Sequence, residues 1–514
     1  MSTWVILAFV CYMGLMLVIG GISAKKNKNA DDYFLGGRNL GGWVAALSAQ
    51  ASDMSGWLLM GLPGCIYAFG ANQAWIAIGL LIGTILNWMF ISGRLRRYTI
   101  KAGNAMTIPE YLSNRFRDKK SLLKAISAIV IVVFFLVYAA SAFASGGKLF
   151  ASVTNMDYHQ ALTVGAVVIL LYTFLGGFLA VCTTDFIQGA MMLVAILTVP
   201  ILAVLFMGTG SIVPNLVSSG LDVDAKDYLN LFMENGKPIS AISIASQLAW
   251  GLGYCGMPHI LVRFMAIRDE KELGKSKKVA IIWVLLSLAV ACIIGVIGRA
   301  YLYPEVLSND AAQYENVFIE MIKKLFMEDT KLYFVGGLFL CGILAAIMST
   351  ADSQLLVSSS AVSKDLCNGV FFKKMSEKQV LLVARLSVLV IAAIAFVIAW
   401  NPNSSIMLLV SDAWAGLGSA FGPTILMSLY WKRTNLPGAA AGMISGGLTV
   451  IIWDYIKCIN QDGAMVTPAT ATGIYSLLIG FFVSLLFIVI VSLITPKVSN
   501  EIIQEFEDVK NGNV

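Results

Sequence analysis

Thirteen predominantly apolar stretches of about 18 or more residues succeed one another along the 514-residue chain, at 4–22, 42–66, 73–93, 125–150, 160–179, 187–208, 240–260, 279–300, 332–360, 380–399, 405–430, 437–456 and 473–495. Each matches the length an α-helix needs to cross the roughly 30 Å hydrocarbon core of a bilayer. Inside that layer no water can satisfy a loose N–H or carbonyl, so a chain of this pattern folds as an all-α integral membrane protein of thirteen transmembrane helices. Composition excludes a soluble domain of this size: 58% of residues are hydrophobic, 13% are charged, and the mean hydropathy is +0.79.

The formal charge of +6 does not mark a nucleic-acid binder, because the basic residues sit in short loops between apolar runs. Lys25-Lys26-Lys28, Arg94 through Lys124, Arg263 through Lys278, Lys364 through Arg385 and Lys432-Arg433 all fall on one side when the amino terminus is placed outside. That side reads as the cytoplasm, which puts the carboxyl terminus inside a multi-pass plasma-membrane protein. The first stretch lacks a preceding basic segment and a small-residue cleavage site, so it is expected to be a retained span and not a signal peptide. The longer outside loops, 221–237 and 303–331, are expected to carry short surface helices. Eight scattered cysteines without a CxxC and only two histidines, His159 and His259, point to no disulfide framework, zinc site or histidine-based catalysis.

Two of the spans are interrupted at membrane depth. The second carries Ala51-Ser52-Asp53-Met54-Ser55-Gly56-Trp57, with Gly61, Pro63 and Gly64 beyond; the seventh carries Trp250-Gly251-Leu252-Gly253-Tyr254-Cys255-Gly256-Met257-Pro258. Glycine and proline let the backbone leave the helix and turn carbonyls toward a bound cation, and a carboxylate such as Asp53 is costly in a membrane unless it serves a pathway or cavity. A kinked structural helix with Asp53 paired to a neighbour is the plainer alternative. Interrupted spans five apart fit two inverted five-helix repeats, spans 2–6 and 7–11, with the site at their interface. On this division 1–40 is a first helix and its loop, 41–430 the core, 431–496 two peripheral helices and 497–514 a cytoplasmic tail.

The ninth span offers a small, oxygen-rich helix face, on which Gly342, Ala346, Ser349 and Ser353 recur at three- and four-residue spacing. Ser349 and Thr350 can supply hydroxyls to a sodium ion, with carbonyls from Ala346 and from Ala51 and Met54 of the broken second span. Close helix packing by small residues would produce the same pattern. Trp57, Tyr138, Trp250 and Tyr254, beside glycines that leave room, and the rigid Pro258 are candidate walls of a solute pocket, although aromatics are also common membrane-protein core. Asp185, before the sixth span, reads as a gate or cation-relay carboxylate or as a helix cap, and Arg38 as a cytoplasmic gate or orientation charge. Asp352 falls near the Ser349 face toward the cytoplasmic end, where water can reach it. With Asp185 it could form a second cation site, but a single coupled sodium is the expected arrangement.

The chain is similar to the proline-transporting branch of the sodium/solute symporter family. The resemblance rests on Asp31-Asp32-Tyr33-Phe34-Leu35-Gly36-Gly37-Arg38, the Ala51–Gly64 run, Tyr172 through Val181, Trp250–Tyr254 with Pro258-His259, Met348-Ser349-Thr350 with Gln354 through Val357, and Ala413-Trp414-Ala415-Gly416 with Phe421-Gly422-Pro423. It covers residues 1 to about 495. The resemblance implies sodium-driven uptake of L-proline, with Na+ as coupling ion; the residues show no nucleophile with its base, metal cluster or cofactor motif, so no cofactor and no enzymatic activity are expected, and no obligate protein partner is evident. It places Ala51, Met54, Ala346, Ser349 and Thr350 at the sodium site. Asp53 and Ser55 fall at positions that couple sodium to substrate, Trp57, Gly61, Tyr138, Trp250, Tyr254 and Pro258 in the substrate pocket, and Arg38 and Asp185 at positions tied to sodium dependence. Met257, Asp352 and Asp412 depart from the pattern and bear on substrate preference and ion stoichiometry. A symporter of the same fold for a sugar, a sialic acid or a carboxylate is the alternative.

Overall fold

The computed structural model describes residues 2–24, 30–154, 156–175, 177–372, 374–459 and 464–513. The Lys25-Lys26-Lys28 cluster and Gly176 of the Tyr172–Val181 motif lie outside the described residues. In chain order the helices are α1 (Thr3–Ala24), α2 (Gly42–Asp53), α3 (Trp57–Phe69), α4 (Ala71–Lys101), α5 (Ile108–Arg115), α6 (Leu122–Thr154), α7 (Tyr158–Leu175), α8 (Phe178–Met207) and α9 (Ala241–Leu248). They continue as α10 (Pro258–Ala266), α11 (Glu270–Leu302), α12 (Tyr333–Phe371), α13 (Glu377–Ile398), α14 (Ile406–Tyr430), α15 (Leu436–Tyr455), α16 (Ser476–Ile494) and α17 (Asn500–Asn511).

Among the described residues, nine of these are long and apolar enough to cross a membrane: α1, α4, α6, α8, α11, α12, α13, α15 and α16. The remaining four apolar stretches are occupied by helix too. One holds α7, one the 25-residue α14, and two hold the broken pairs α2/α3 and α9/α10. The 221–237 and 303–331 loops carry short helices, Ala225–Tyr228 and Val317–Lys323, and the chain also has two hairpins of two-residue strands that an all-α expectation omits. All eight cysteines are free.

Burial ranks the helices from centre to periphery. In the most apolar window of α12, 78% of residues are buried, against 33% in α1 and α16 and 28% in α13. The residues lining α12 are small over most of its middle, which lets α2, α6 and α8 approach it closely. The glycines of the seventh span serve packing in the same way. A Cβ on Gly251 would stand 2.1 Å from Gly79 O of α4, and one on Gly83 would stand 2.2 Å from Gly251 O. These glycines therefore admit a neighbouring backbone, and do not leave open space for a solute as the sequence suggested.

One buried ion pair ties an outer loop to the bundle. Glu315 follows the short helix Ala311–Tyr314, and its carboxylate takes Lys148 Nζ of α6 at 2.6 Å, with both side chains at most 4% exposed. The same carboxylate accepts the Ser405 hydroxyl at 2.8 Å and the N–H groups of Ile406 and Met407 at 3.0 Å. It therefore satisfies the first turn of α14, whose loose N–H groups attract negative charge. At the opposite end of the bundle α17 docks its buried Phe506 beneath Arg115, with Arg117–Glu505 at 2.5 Å and Lys101–Asp508 at 3.1 Å. The tail is thus an ordered helix.

Removing one partner of a buried pair leaves the other charge uncompensated, at a cost of about 3–5 kcal/mol. Glu315→Gln is therefore expected to lower the thermal unfolding midpoint of the detergent-solubilised protein by several degrees. An unchanged midpoint would mean that this carboxylate does not anchor the loop.

Candidate functional site

The break between α2 and α3 has a local cause. Met54, with φ −87° and ψ 75°, leaves the helical region directly after Asp53. Its N–H still reaches Gln50 O at 2.9 Å, while Ser55 N–H turns back to Asp53 O at 3.1 Å. Gly56 restarts the chain where a Cβ would come within 2.3 Å of Ser145 Oγ on α6, so any larger residue would push α6 away. The first turn of α3, Trp57–Gly61, is a wide π turn, and Trp57 Nε1–H donates to Asp53 O at 2.8 Å, pinning the break.

The middle of α12 lies against this break. Ser349 Oγ–H donates to Ala51 O at 2.8 Å and sits 3.2 Å from Ala346 O, while Thr350 Oγ1 is 3.4 Å from Ala51 O. Four of the five expected oxygen sources are therefore in mutual reach, and all five residues are fully buried. The fifth, Met54, stands at the helix end, with its sulfur taken by Trp283 Nε1–H at 3.1 Å and Ser287 Oγ–H at 3.3 Å. A hydroxyl that now donates to a carbonyl can rotate and present a lone pair to a hard cation held by the same carbonyl. Such a set, neutral and wholly oxygen, suits a monovalent ion.

Asp53 links the two broken spans. Its Oδ2 accepts the Tyr254 hydroxyl at 2.6 Å, and its Oδ1 has no hydrogen-bond partner among the described residues. Ser55, Trp57 and Tyr138 surround it, all buried, with the Tyr138 hydroxyl beside Ser55 and Trp57. An uncompensated buried carboxylate oxygen costs about 1–3 kcal/mol or more, which marks it as a place where a ligand group can bind. The other pocket candidates are distributed around this point. Trp250 is stacked between Tyr475, at 5.0 Å, and Trp414, at 6.5 Å, and Trp414 also meets Tyr254 edge-on at 5.1 Å. Gly61 packs toward Met407, and Pro258 starts α10 and borders a small cavity below.

About one turn further along α2 and α12 lies a second polar centre, organised by Arg263. Its guanidinium bonds Ser48 Oγ at 3.1 Å, His259 O at 2.6 Å, Ser353 Oγ at 2.6 Å and Asp185 Oδ2 at 3.2 Å. Asp185 also accepts from Ser48 at 2.6 Å and Ser52 at 3.0 Å, and Ser353 donates to Asp352 Oδ1 at 3.3 Å. This revises three expectations. Asp185 does not cap α8, which starts at Phe178, but lies two turns inside it. Asp352 is fully buried and is not the water-accessible carboxylate expected. Arg263 is 1% exposed and is not a loop charge. Sequence reading brought Asp185 and Asp352 together but missed Arg263, Ser48 and Ser52, although an arginine inside the apolar Pro258–Ile267 run and serines four apart at Ser48 and Ser52 were visible signals.

Arg38 stands apart from both centres. It bonds Asn104 Oδ1 at 2.7 Å, Thr99 Oγ1 at 3.2 Å, and the carbonyls of Met265 and Ala105 at 2.6 Å. Burial pulls its guanidinium down to about 10, with Arg96 adding to the shift, so it stays charged at neutral pH. Leu40 pairs with the strand-like residues after α10 through Ala266 O and Arg268 N at 3.1 Å each. Arg38 thus helps close the end of the bundle that carries the basic loops.

Comparison with known proteins agrees with this architecture. Residues 33–446 match the sodium:solute symporter family. The chain is 45% identical to the osmoregulated proline transporter OpuE of Bacillus subtilis, over 97% of this chain and 96% of that protein. It is 42% identical to a sodium/proline symporter of Haemophilus influenzae, over 98% and 97%. A solved Na+-coupled sialic acid symporter, substrate-bound and outward-open, shares the fold with a TM-score of 0.75 at 18% identity, over 97% of this chain and 99% of that one. A family match over most of the chain, joined to full-length relatives at this identity, means that the chain belongs to the sodium:solute symporter family.

Proposed function

We propose that the protein is a sodium:proline symporter, a membrane transporter and not an enzyme, that takes up L-proline by alternating access with Na+ as its coupling ion and no other cofactor. The observation that carries this reading is the 42–45% identity, over nearly the whole chain, to transporters named for proline. The meeting of Ser349 and Thr350 with Ala51 supports a sodium site formed with Met54 and Ala346. Sodium there bridges α2 and α12, and this fixes the carbonyls around the Asp53–Ser55 turn. The ring of proline then packs among Trp57, Tyr138 and Tyr254, with Trp250 supporting Tyr254 through Trp414, while its ammonium and carboxylate face Asp53 and the helix ends of the two breaks. Movement of one sodium ion down a 100 mV potential supplies about 2.3 kcal/mol, enough for roughly fiftyfold accumulation before any sodium gradient is added.

We infer thirteen spans, in which the broken pairs α2/α3 and α9/α10 and the helices α7 and α14 also cross. Spans 2–6 and 7–11 form two inverted repeats, with the amino terminus outside and the carboxyl terminus inside. The contact between Asp53 and Tyr254, one from each broken span, supports that pairing, and the basic loops support the orientation. The Arg263 cluster, with Asp185 and Asp352, and the Arg38 network hold the cytoplasmic side closed and must loosen when the site opens inward. One sodium moves with each proline.

Three measurements in proteoliposomes test the reading. Ser349→Ala and Thr350→Ala should each raise the sodium concentration for half-maximal proline uptake by about tenfold, the effect of losing roughly 1.4 kcal/mol of oxygen–cation contact. If they changed only proline affinity at saturating sodium, the cation would bind elsewhere. Asp53→Asn should abolish most sodium-dependent uptake at equal protein level, and wild-type sodium dependence would remove Asp53 from the coupling. Tyr254→Ala should weaken proline binding by about tenfold through lost apolar contact and a freed Asp53; unchanged binding would place the pocket elsewhere.

A further inference from the structure

Below the site, α12 continues to Phe371, and over the next four turns or so polar groups on one side of it are left without hydrogen-bond partners among the described residues. After Thr350 come Gln354, whose side-chain oxygen and nitrogen are both unpartnered, then Ser358, and then Asp365, whose Oδ2 is unpartnered. Thr350, Gln354 and Ser358, four residues apart, lie within about 80° of one another on the α-helical part, and Asp365 lies beyond it, where the helix widens into π turns over Ala361–Phe371. Gln354 and Ser358 are fully buried and Asp365 is 1% exposed. Unsatisfied buried polar atoms cost about 1–3 kcal/mol each, and a carboxylate costs more, so a run of them marks a path that polar species visit.

Asp365 also borders a cavity of about 20 Å³, together with Leu356, Val357 and Ser360 of α12, Pro258 and Val262 of α10, and Thr107 and Phe34; Gln354 and Ser358 do not line it. That volume accommodates one water or one ion of similar size, for which about 10–15 Å³ suffices. Thr107 Oγ1–H donates to Asp365 Oδ1 at 2.9 Å and its oxygen accepts the Glu110 N–H of the first turn of α5 at 3.1 Å, which leaves Oδ2 and one remaining Thr107 lone pair as oxygen ligands. The charged groups that act on Asp365 are Lys124, Glu110 and Lys364, and no ion pair with Asp365 forms among the described residues. Lys364 is engaged with Glu110 at 3.1 Å.

We propose that Asp365, with Thr107, forms a release station for the transported monovalent cation, occupied transiently as the ion passes from the Ala51–Ser349 site toward the cytoplasm. This rests on the sodium-coupled reading above. The buried carboxylate draws the ion down the α12 track, and the passing ion offsets the carboxylate's desolvation. The small cavity beneath Pro258 widens into the exit when α10 moves. The station acts on release and not on external binding, which separates it from the residues of the upper site.

The test compares net uptake with exchange in liposomes that contain the full chain. Wild type must first accumulate labelled proline under an inward sodium gradient; if it does not, the symport reading fails and not this inference. Asp365→Asn is expected to slow net uptake about tenfold, the effect of roughly 1.4 kcal/mol at the release step. It should leave proline–proline exchange at saturating sodium on both faces, and the external half-saturating sodium, unchanged. Asp365→Glu should restore most of the net rate, and Thr107→Val should slow it by a smaller factor. Wild-type net uptake by Asp365→Asn would mean that the cavity holds a water only. Equal loss of net uptake and exchange, without rescue by Asp365→Glu, would make Asp365 a structural residue. Either result overturns the station.

Discussion

The structure depends on one hydrogen bond made at a place where a helix has stopped: Ser349 Oγ–H to Ala51 O at 2.8 Å. Within a bilayer a broken helix exposes carbonyls that nothing but protein, a trapped water or an ion can satisfy. α12 answers that need with hydroxyls, and it can do so only because the rest of its middle is small enough for α2 to lie against it. The same geometry that satisfies the break in its closed form provides a ring of neutral oxygens for a cation. On the proposed sodium site, the atoms that satisfy the break are the ones that would hold the ion.

The two breaks differ in how they are held, and this bears on which one moves. The break after Asp53 is pinned by Trp57, by the close pass of Ser145 over Gly56 and by α12. The seventh span is held mainly by backbone contact, with Gly251 against Gly79 and Gly83, and Trp414 Nε1–H on Trp250 O at 2.8 Å. Its inner half, α10, has Arg263 as its chief polar tether, bonded to α2, α8 and α12 at once. Breaking Asp185–Arg263 in a buried setting is costly unless both charges find new partners together, so the opening that the proposed transport cycle needs at this end requires α2 and α10 to move in concert against α8 and α12.

The apolar runs made the helical membrane fold legible, because hydropathy over some twenty residues is insensitive to exact boundaries; the 332–360 stretch, for instance, is part of the longer Tyr333–Phe371 helix. The spatial meeting of the cation candidates was legible for a similar reason. A carboxylate, hydroxyls and glycines inside an apolar run have few roles, and Ala51, Ala346, Ser349 and Thr350 come together in space. What the sequence hid was partnership. Arg263 read as a loop charge because it lies near a basic loop, and only the packing of four helices shows it buried. Asp352 read as accessible because its helix was drawn too short. The glycines of the seventh span read as open room because a sequence does not say which backbone will fill the space beside a missing Cβ.

The central claim is that sodium itself joins the break in the second span to α12. Hydrogen–deuterium exchange of the protein in lipid nanodiscs, compared in sodium and in potassium at equal ionic strength, tests it most directly. The account predicts slower exchange in sodium confined to the amides around 53–58 and 346–353, with the outer loops and α13 unaffected. Equal exchange in both salts across these two segments, in protein that still takes up proline with sodium, would contradict it.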